Sequence, residues 1–344
     1  MSDYGLLSRL LHRLALGVPA IAEASFDAEQ ALLGKEPICA RDGRHVFVAG
    51  LARSGTTVLM RSLFETGEFC SLTYRDMPFV LAPGLWSRVT SSSRKERDAT
   101  QRAHGDGVMV DFDSPEALEE VFWRVFCEPA YIRPDRLVGM RADADTVQRL
   151  RRYVAAILRH YGSARYLSKN NNNIVRIGSL IEAFPSARIV VPFRDPLQQA
   201  HSLLNQHRRF CQQHGVDKFT ASYMTWLAHH EFGADHRPFE WGIPVAQNLA
   251  PDTLGYWLAQ WIGVYEHLLQ NVRQHREHVR VFGYELFCSG TQREWQRLGE
   301  FLGFDAPAPT RLEVSHARID ESVDKRLRTQ AEHIHSALLS SAER

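Results

Sequence analysis

At 344 residues and 39.3 kDa, the chain has room for one large α/β domain with elaborations or for two modest ones. Its 41 Lys+Arg against 40 Asp+Glu give a net charge of +1, which argues against a general polyanion-binding surface and so against a nucleic-acid partner. With 44% hydrophobic and 24% charged residues the composition is ordinary for a globular protein and excludes wholesale disorder.

The cysteines (Cys39, Cys70, Cys127, Cys211, Cys288) are scattered and form no CxxC pair, so neither a disulfide framework nor a thiolate zinc site is expected. No apolar run reaches the roughly 18–20 residues that cross a bilayer. The first 40 residues read as a helical extension. LLSRLLHRLALGVPAIAEASF, broken by Arg9, His12 and Arg13, is not a convincing signal segment, and a cytoplasmic location is expected. A basic amphipathic helix in residues 1–20 packs on the body of the protein or makes weak contact with a membrane surface.

HVFVAG, from His45, reads as a buried strand. After Gly50 and Gly55, the spacing of Val58, Leu59, Ser62 and Leu63 predicts a helix ending near Gly67. Residues 91–107 are polar and glycine-tipped, as a mobile loop would be. Asp113 and Glu116 resemble a capping box with Pro115 in the first turn, opening a helix through Phe126. Leu150, Val154, Leu158 and Tyr161 mark another amphipathic helix. RYLSK (165–169) and ARIVVPF (187–193) read as strands with a helix between them, and VRVFGYE (279–285) as a late strand before a helix around Trp295–Leu302. Strands alternating with helices predict a mainly parallel sheet with helices on both faces. The His-, Trp-, Phe- and Pro-rich segment 213–256 breaks that rhythm and reads as an inserted helical cap in a single domain.

The most informative stretch is Gly50-Leu51-Ala52-Arg53-Ser54-Gly55-Thr56-Thr57. A strand, a glycine turn and a helix start collect backbone N–H groups around one point, and the helix dipole adds positive potential, so a phosphate-sized anion fits there. Thr56 and Thr57 add hydroxyls, and Arg53 adds fixed charge with planar donors. The spacing is that of a nucleotide-hydrolysing P-loop, but Thr56 stands where the phosphate-binding lysine belongs.

RSGTT after a strand resembles the 5′-phosphosulfate loop of sulfotransferases that use 3′-phosphoadenosine 5′-phosphosulfate (PAPS). The second signature of that family, an Arg at the end of a later strand and a Ser eight residues on, matches Arg194 and Ser202. Ser202 falls about two turns into the following helix, which can present one face to a ligand. SKNNNNIVRIGSLIEAFPSARIVVPFRDP is similar to the stretch before this signature in tyrosylprotein, carbohydrate and bacterial sulfotransferases. FGYELFCSG resembles their late strand followed by Tyr-Glu. The resemblance implies a P-loop-like three-layer α/β fold. It also implies PAPS as cosubstrate without a required metal, with Arg53, Ser54, Gly55, Thr56 and Thr57 on its 5′ end. Arg194 and Ser202 would hold the 3′-phosphate, Tyr284 would lie near the nucleotide, and Lys169 and Arg53 would stand at the transferring sulfonate. The aryl and steroid branch carries a catalytic His two residues after the matching Lys; here Asn171 occupies that place.

Sulfonate transfer also needs a base for the acceptor proton. In several branches a carboxylate roughly twenty residues past the glycine loop serves, and Asp76 is the carboxylate in that window. It reads equally as a turn or cap residue before Met77-Pro78. His104, Asp106, Glu119 and Glu120 are the alternatives, with Glu119 and Glu120 expected on the solvated side of a helix whose Phe122 and Val125 face inward. His229, His230, Glu231 and His236 fail the HExxH zinc pattern because Ala234 takes the second histidine's place; they read as part of a cap lining an acceptor channel. Trp226, Trp241, Trp257 and Trp261 are expected in core packing or stacked on an acceptor. Asn170 to Asn173 are expected to satisfy backbone groups after Lys169, or to contact a sugar. The expected acceptor is a hydroxyl of a carbohydrate, glycolipid or other metabolite. The rival readings are a nucleotide-dependent kinase, disfavoured by the missing lysine, and a non-catalytic nucleotide- or sulfated-glycan-binding protein.

Overall fold

The computed structural model describes residues 6–33, 42–90, 100–101, 109–110, 115–214, 218–241, 249–310, 314 and 316–343. At its centre lie strands β1 (Val46–Val48), β2 (Leu167–Lys169), β3 (Arg188–Phe193) and β4 (Val279–Gly283). They are ordered β2-β1-β3-β4, and every pairing is parallel. Val46 sits opposite Leu167 on one side and Arg188 on the other, and Ile189 sits opposite Val279.

The short apolar runs become strands because a parallel sheet buries both faces. Val46, Val48, Leu167, Val190 and Phe282 face one cluster. It is completed by Leu59, Met60 and Leu63 of helix α3 (Thr56–Phe64) and by Trp295, Leu298 and Leu302 of a late helix, Thr291–Leu302. Phe47, Ile189, Val191, Phe193, Val279 and Val281 face the other cluster. Against them pack the helices Ala144–Tyr161, Pro196–His214, Leu254–Gln274 and Lys325–Ala342. Helix, sheet and helix make the expected three-layer α/β architecture, and each buried Leu, Ile, Val or Phe contributes about 1.5–3 kcal/mol.

The N-terminal extension forms α1 (Leu6–Gly17) and α2 (Pro19–Leu33). Helix α1 packs on a cap helix, Lys218–Trp226: Arg9 lies over the Phe219 ring, His12 against Tyr223, and Gly17 against Trp226. Leu10, Leu14 and Val18 of this extension stay exposed. Among the described residues no helix is long and apolar enough to cross a membrane.

Three expectations shift. The helix placed from Asp113 begins at Glu120 and runs to Tyr131. Before it, Pro115 bridges to Thr73 and the Glu116 N–H donates to the Leu72 carbonyl, which holds the chain extended; Asp113 lies outside the described residues. At the cap's far boundary, Leu254–Tyr256 already belong to the core helix Leu254–Gln274, which buries Trp257 and Trp261. Glu119 and Glu120 are not solvated but buried. Glu119 accepts from Trp123 Nε1 (2.9 Å) and Tyr166 OH (2.8 Å). Glu120 is the hub of a network of Arg176, Tyr131, Asn170 and Asn172. Buried carboxylates of this kind persist only when fully paired.

Candidate active site

The chain leaves β1 for β2 on one side and leaves β3 for β4 on the other, so the sheet has its topological switch between β1 and β3. Ligands of open α/β sheets bind in the crevice beyond the carboxyl ends at such a point. The glycine loop leaves β1 there and Arg194 leaves β3.

Two left-handed residues shape the loop: Arg53 at φ 68° and Gly55 at φ 92°. Gly55 precedes the first turn of α3, whose leading N–H groups have no intrahelical acceptor. The loop carbonyls are turned inward by a residue with no motif to announce it. Gln199, fully buried, donates to the carbonyls of Ala52 (3.0 Å) and Leu51 (3.4 Å) and accepts from Trp261 Nε1 (2.9 Å) and Tyr265 OH (3.4 Å). With the carbonyls so held, the loop presents donors and cations to the crevice.

Arg53 Nε donates to Ser202 Oγ at 3.0 Å, joining the two signatures across 149 positions of sequence. Tyr284, immediately after β4, packs edge to loop: a Cβ on Gly55 would lie 2.6 Å from its Cδ2. Arg194 lies 5.4 Å from the centre of the Tyr284 ring, with its Nε 3.4 Å from Glu285 Oε1. The same carboxylate oxygen accepts from the Asp195 N–H at 3.1 Å. Burial pushes the Tyr284 phenol up to about 12, so it stays neutral. Asp195 caps the Ser202 helix through the Gln198 N–H (2.9 Å), and Pro196 opens its first turn. Lys169 ends β2 opposite Val48, buried at the same carboxyl edge. Thus Arg53 to Thr57, Arg194, Ser202 and Tyr284 converge, and Lys169 stands one strand away.

The family model of the sulfotransferase family matches residues 45–240, more than half of the chain. The chain belongs to the sulfotransferase family. Its matched span holds the glycine loop, Lys169, Arg194 and Ser202. Among solved structures it is similar to a sulfotransferase from Alicyclobacillus acidocaldarius at 15% identity, covering 87% of this chain and 94% of that one, with a TM-score of 0.44. It is also similar to the sulfotransferase STF1 of Mycobacterium tuberculosis (13% identity, 99% and 84% coverage, TM-score 0.47). A third is the sulfotransferase STF9 of Mycobacterium avium (15%, 95% and 75%, TM-score 0.48). No curated protein matches.

In this sulfotransferase Asp76 belongs to a closely bonded turn. It ends the turn Tyr74–Asp76, where its Oδ2 accepts from the Thr73 N–H (2.8 Å) and Tyr161 OH (2.6 Å), and His160 Nε2 lies 3.8 Å from Oδ1. Burial raises the Asp76 carboxyl pKa. These bonds give Asp76 a capping role in its own turn. His104 and Asp106 lie outside the described residues.

The cap histidines divide by environment. His236 hydrogen-bonds with Tyr256 OH (2.7 Å) beside Trp257, and burial pushes it down to about 4. His230 lies 2.9 Å from Asp235. Among the described residues no His, Cys, Asp and Glu grouping is arranged to hold a metal. Trp226 packs on α1 and Trp241 stacks on His267, so the four tryptophans serve packing. The asparagine run does more than close its own turn. Asn170 Oδ1 accepts from the Asn172 N–H at 3.0 Å, but Asn171 Nδ2 donates to Glu231 (2.9 Å) and Asn172 Nδ2 to Glu120 (3.0 Å). Sequence reasoning missed Gln199 and Glu285. Gln199 precedes Ser202 by one helical turn and Glu285 directly follows Tyr284, so their only signal was proximity to a motif residue.

Proposed function

We propose that this sulfotransferase takes the sulfonate from PAPS and places it on a hydroxyl of a carbohydrate, glycolipid or other metabolite by in-line displacement. The observation that carries the reading is the convergence of two cations, Arg53 after β1 and Arg194 after β3, on the crevice between those strands, with Ser202 and Tyr284 against them. A donor with phosphate groups at both the 5′ and 3′ positions of one ribose is the ligand whose charges suit such a pair. On this reading the loop from Arg53 to Thr57 holds the 5′-phosphosulfate at the start of α3, and Arg194 with Ser202 holds the 3′-phosphate.

Lys169 and Arg53 then stabilise the charge that grows on the equatorial and bridging oxygens as the S–O bond to the 5′-phosphate lengthens. The buried clamp of Gln199 keeps the loop in the geometry the transition state needs, so no reorganisation is required at the reacting moment. A kinase reading would require the missing P-loop lysine, whose place Thr56 holds. The test is incubation with PAPS labelled in its sulfonate and a panel of glycosides and glycolipids. Label appearing in an organic product, matched by release of adenosine 3′,5′-bisphosphate, is expected. Bisphosphate binding with no transfer to any hydroxyl would favour a non-catalytic binding protein.

A further inference from the structure

A buried acid–base pair from the cap stands beside Lys169. His229 Nδ1 lies 3.5 Å from Glu231 Oε2, and the other oxygen of that carboxylate accepts from Asn171 Nδ2 at 2.9 Å. Glu231 is 10% exposed and His229 16%, so both groups are largely buried. Asn171 follows Lys169 by two residues, which ties the pair to the carboxyl edge of β2. The Lys169 charge is near enough to oppose protonation of His229.

The backbone that delivers His229 is held in an unusual shape. The cap helix Lys218–Trp226 closes with the Ala228 N–H donating to the Thr225 carbonyl and the His229 N–H to the Met224 carbonyl, which is the Schellman arrangement. Its left-handed position, usually glycine, is Ala228 at φ 51°. The Ala228 carbonyl is fixed by Asn172 Nδ2 at 3.3 Å. Among the described residues the other non-glycine at positive φ is Arg53 of the glycine loop. Such strain persists only where surrounding structure enforces it, and it gathers at functional sites. Asn171 Oδ1 is buried with no hydrogen-bond partner, and an acceptor oxygen left so beside the pair suits a hydroxyl-bearing substrate.

Resting on the reading of the chain as a PAPS-dependent enzyme, we propose that His229 takes the proton of the acceptor hydroxyl, with Glu231 and Asn171 as positioning residues. With Nδ1 engaged by Glu231, Nε2 receives the proton as the acceptor oxygen forms its bond to sulfur. The bond from sulfur to the 5′-phosphate oxygen breaks, its electron pair leaves with adenosine 3′,5′-bisphosphate, and the imidazolium later yields its proton to water. Glu231 holds the ring in one tautomer and stabilises the imidazolium.

Among the described residues, the charges that act most on His229 are Glu231 from its own turn, Lys169 from the end of β2, and Glu116 from the segment before the Glu120 helix. Burial alone disfavours the imidazolium, but the Glu231 carboxylate outweighs it and holds His229 above the ordinary imidazole value, with Glu116 adding and Lys169 opposing. The neutral, proton-accepting form therefore appears only as pH rises through that elevated value.

The test combines calorimetry, donor turnover and histidine NMR on the full chain. At a pH above the His229 midpoint, His229→Gln and Glu231→Gln should bind adenosine 3′,5′-bisphosphate as the wild type does, which shows both are folded. Hydrolysis of PAPS, with water as the probe acceptor, should fall about 100-fold in His229→Gln. The His229 resonance, assigned by its loss in that variant, should titrate above 6.5, lower in Glu231→Gln, and should shift when the bisphosphate is added. Unchanged hydrolysis in His229→Gln, or a His229 midpoint indifferent to the bisphosphate, would overturn the proposal and leave the donor site standing. Failure of the wild type to bind the bisphosphate would instead remove the donor reading itself.

Discussion

Gly55→Ala tests the loop at its tightest point. The position has φ 92°, and the new Cβ would meet Tyr284 Cδ2 at 2.6 Å, well inside van der Waals contact. A left-handed alanine costs about 1–2 kcal/mol, and pressing a methyl into a ring that must move adds about 1–3 kcal/mol. The variant should therefore lose about 2–5 kcal/mol in urea denaturation. Because Arg194 lies against the same ring, its bisphosphate affinity should fall as well. Tyr284→Ala removes the collision and leaves the backbone strain. Gly55→Ala/Tyr284→Ala should then be less destabilised than the sum of the single variants by about 1–3 kcal/mol, a coupling typical of residues in contact. Strictly additive losses, or a Gly55→Ala protein as stable as the wild type, would refute the close approach of the loop to Tyr284.

Arg194→Ala should weaken adenosine 3′,5′-bisphosphate by about 10–100-fold, the loss of a charged hydrogen bond, while 5′-AMP binding hardly changes; equal losses for the two ligands would contradict the 3′-phosphate assignment. Glu120→Ala strands the buried Arg176 charge and should cost about 3–5 kcal/mol in urea unfolding; a loss below about 1 kcal/mol would show that the network is not what holds Arg176. His236 and His267 are both pushed by burial down to about 4 from 6.5. A lowered folded value means the unfolded chain binds the proton first, so their stabilising contribution is complete above about 6.5 and is lost as pH falls toward about 4. The urea midpoint should drop across that window, and His236→Gln should flatten the drop; an unchanged slope would contradict the assignment.

What could be read in the sequence was local. RSGTT, Arg194 and Ser202 are fixed in spacing by a strand, a turn and a helix, so they name their own neighbourhood, and the apolar runs around Val46 and Val190 can only be strands buried on both faces. The buried polar residues were not legible, because their burial depends on partners far along the chain. Glu120 becomes an interior residue through Arg176, Asn170 and Asn172, and a window around it shows only two acids at the start of a helix. Asp76 stands out by its distance from the loop in sequence, but its bond with Tyr161, 85 positions away, could not be read there. Glu231 meets Asn171 across 60 positions, and no spacing rule joins a cap turn to a strand end.

The most direct test of the account is calorimetric titration of the purified protein with adenosine 3′,5′-bisphosphate in the absence of metal, beside ATP with Mg²⁺. The convergence of Arg53, Ser202, Arg194 and Tyr284 predicts tight, metal-independent binding of the bisphosphate and little binding of ATP. Preference for ATP with Mg²⁺ and no binding of the bisphosphate would contradict it.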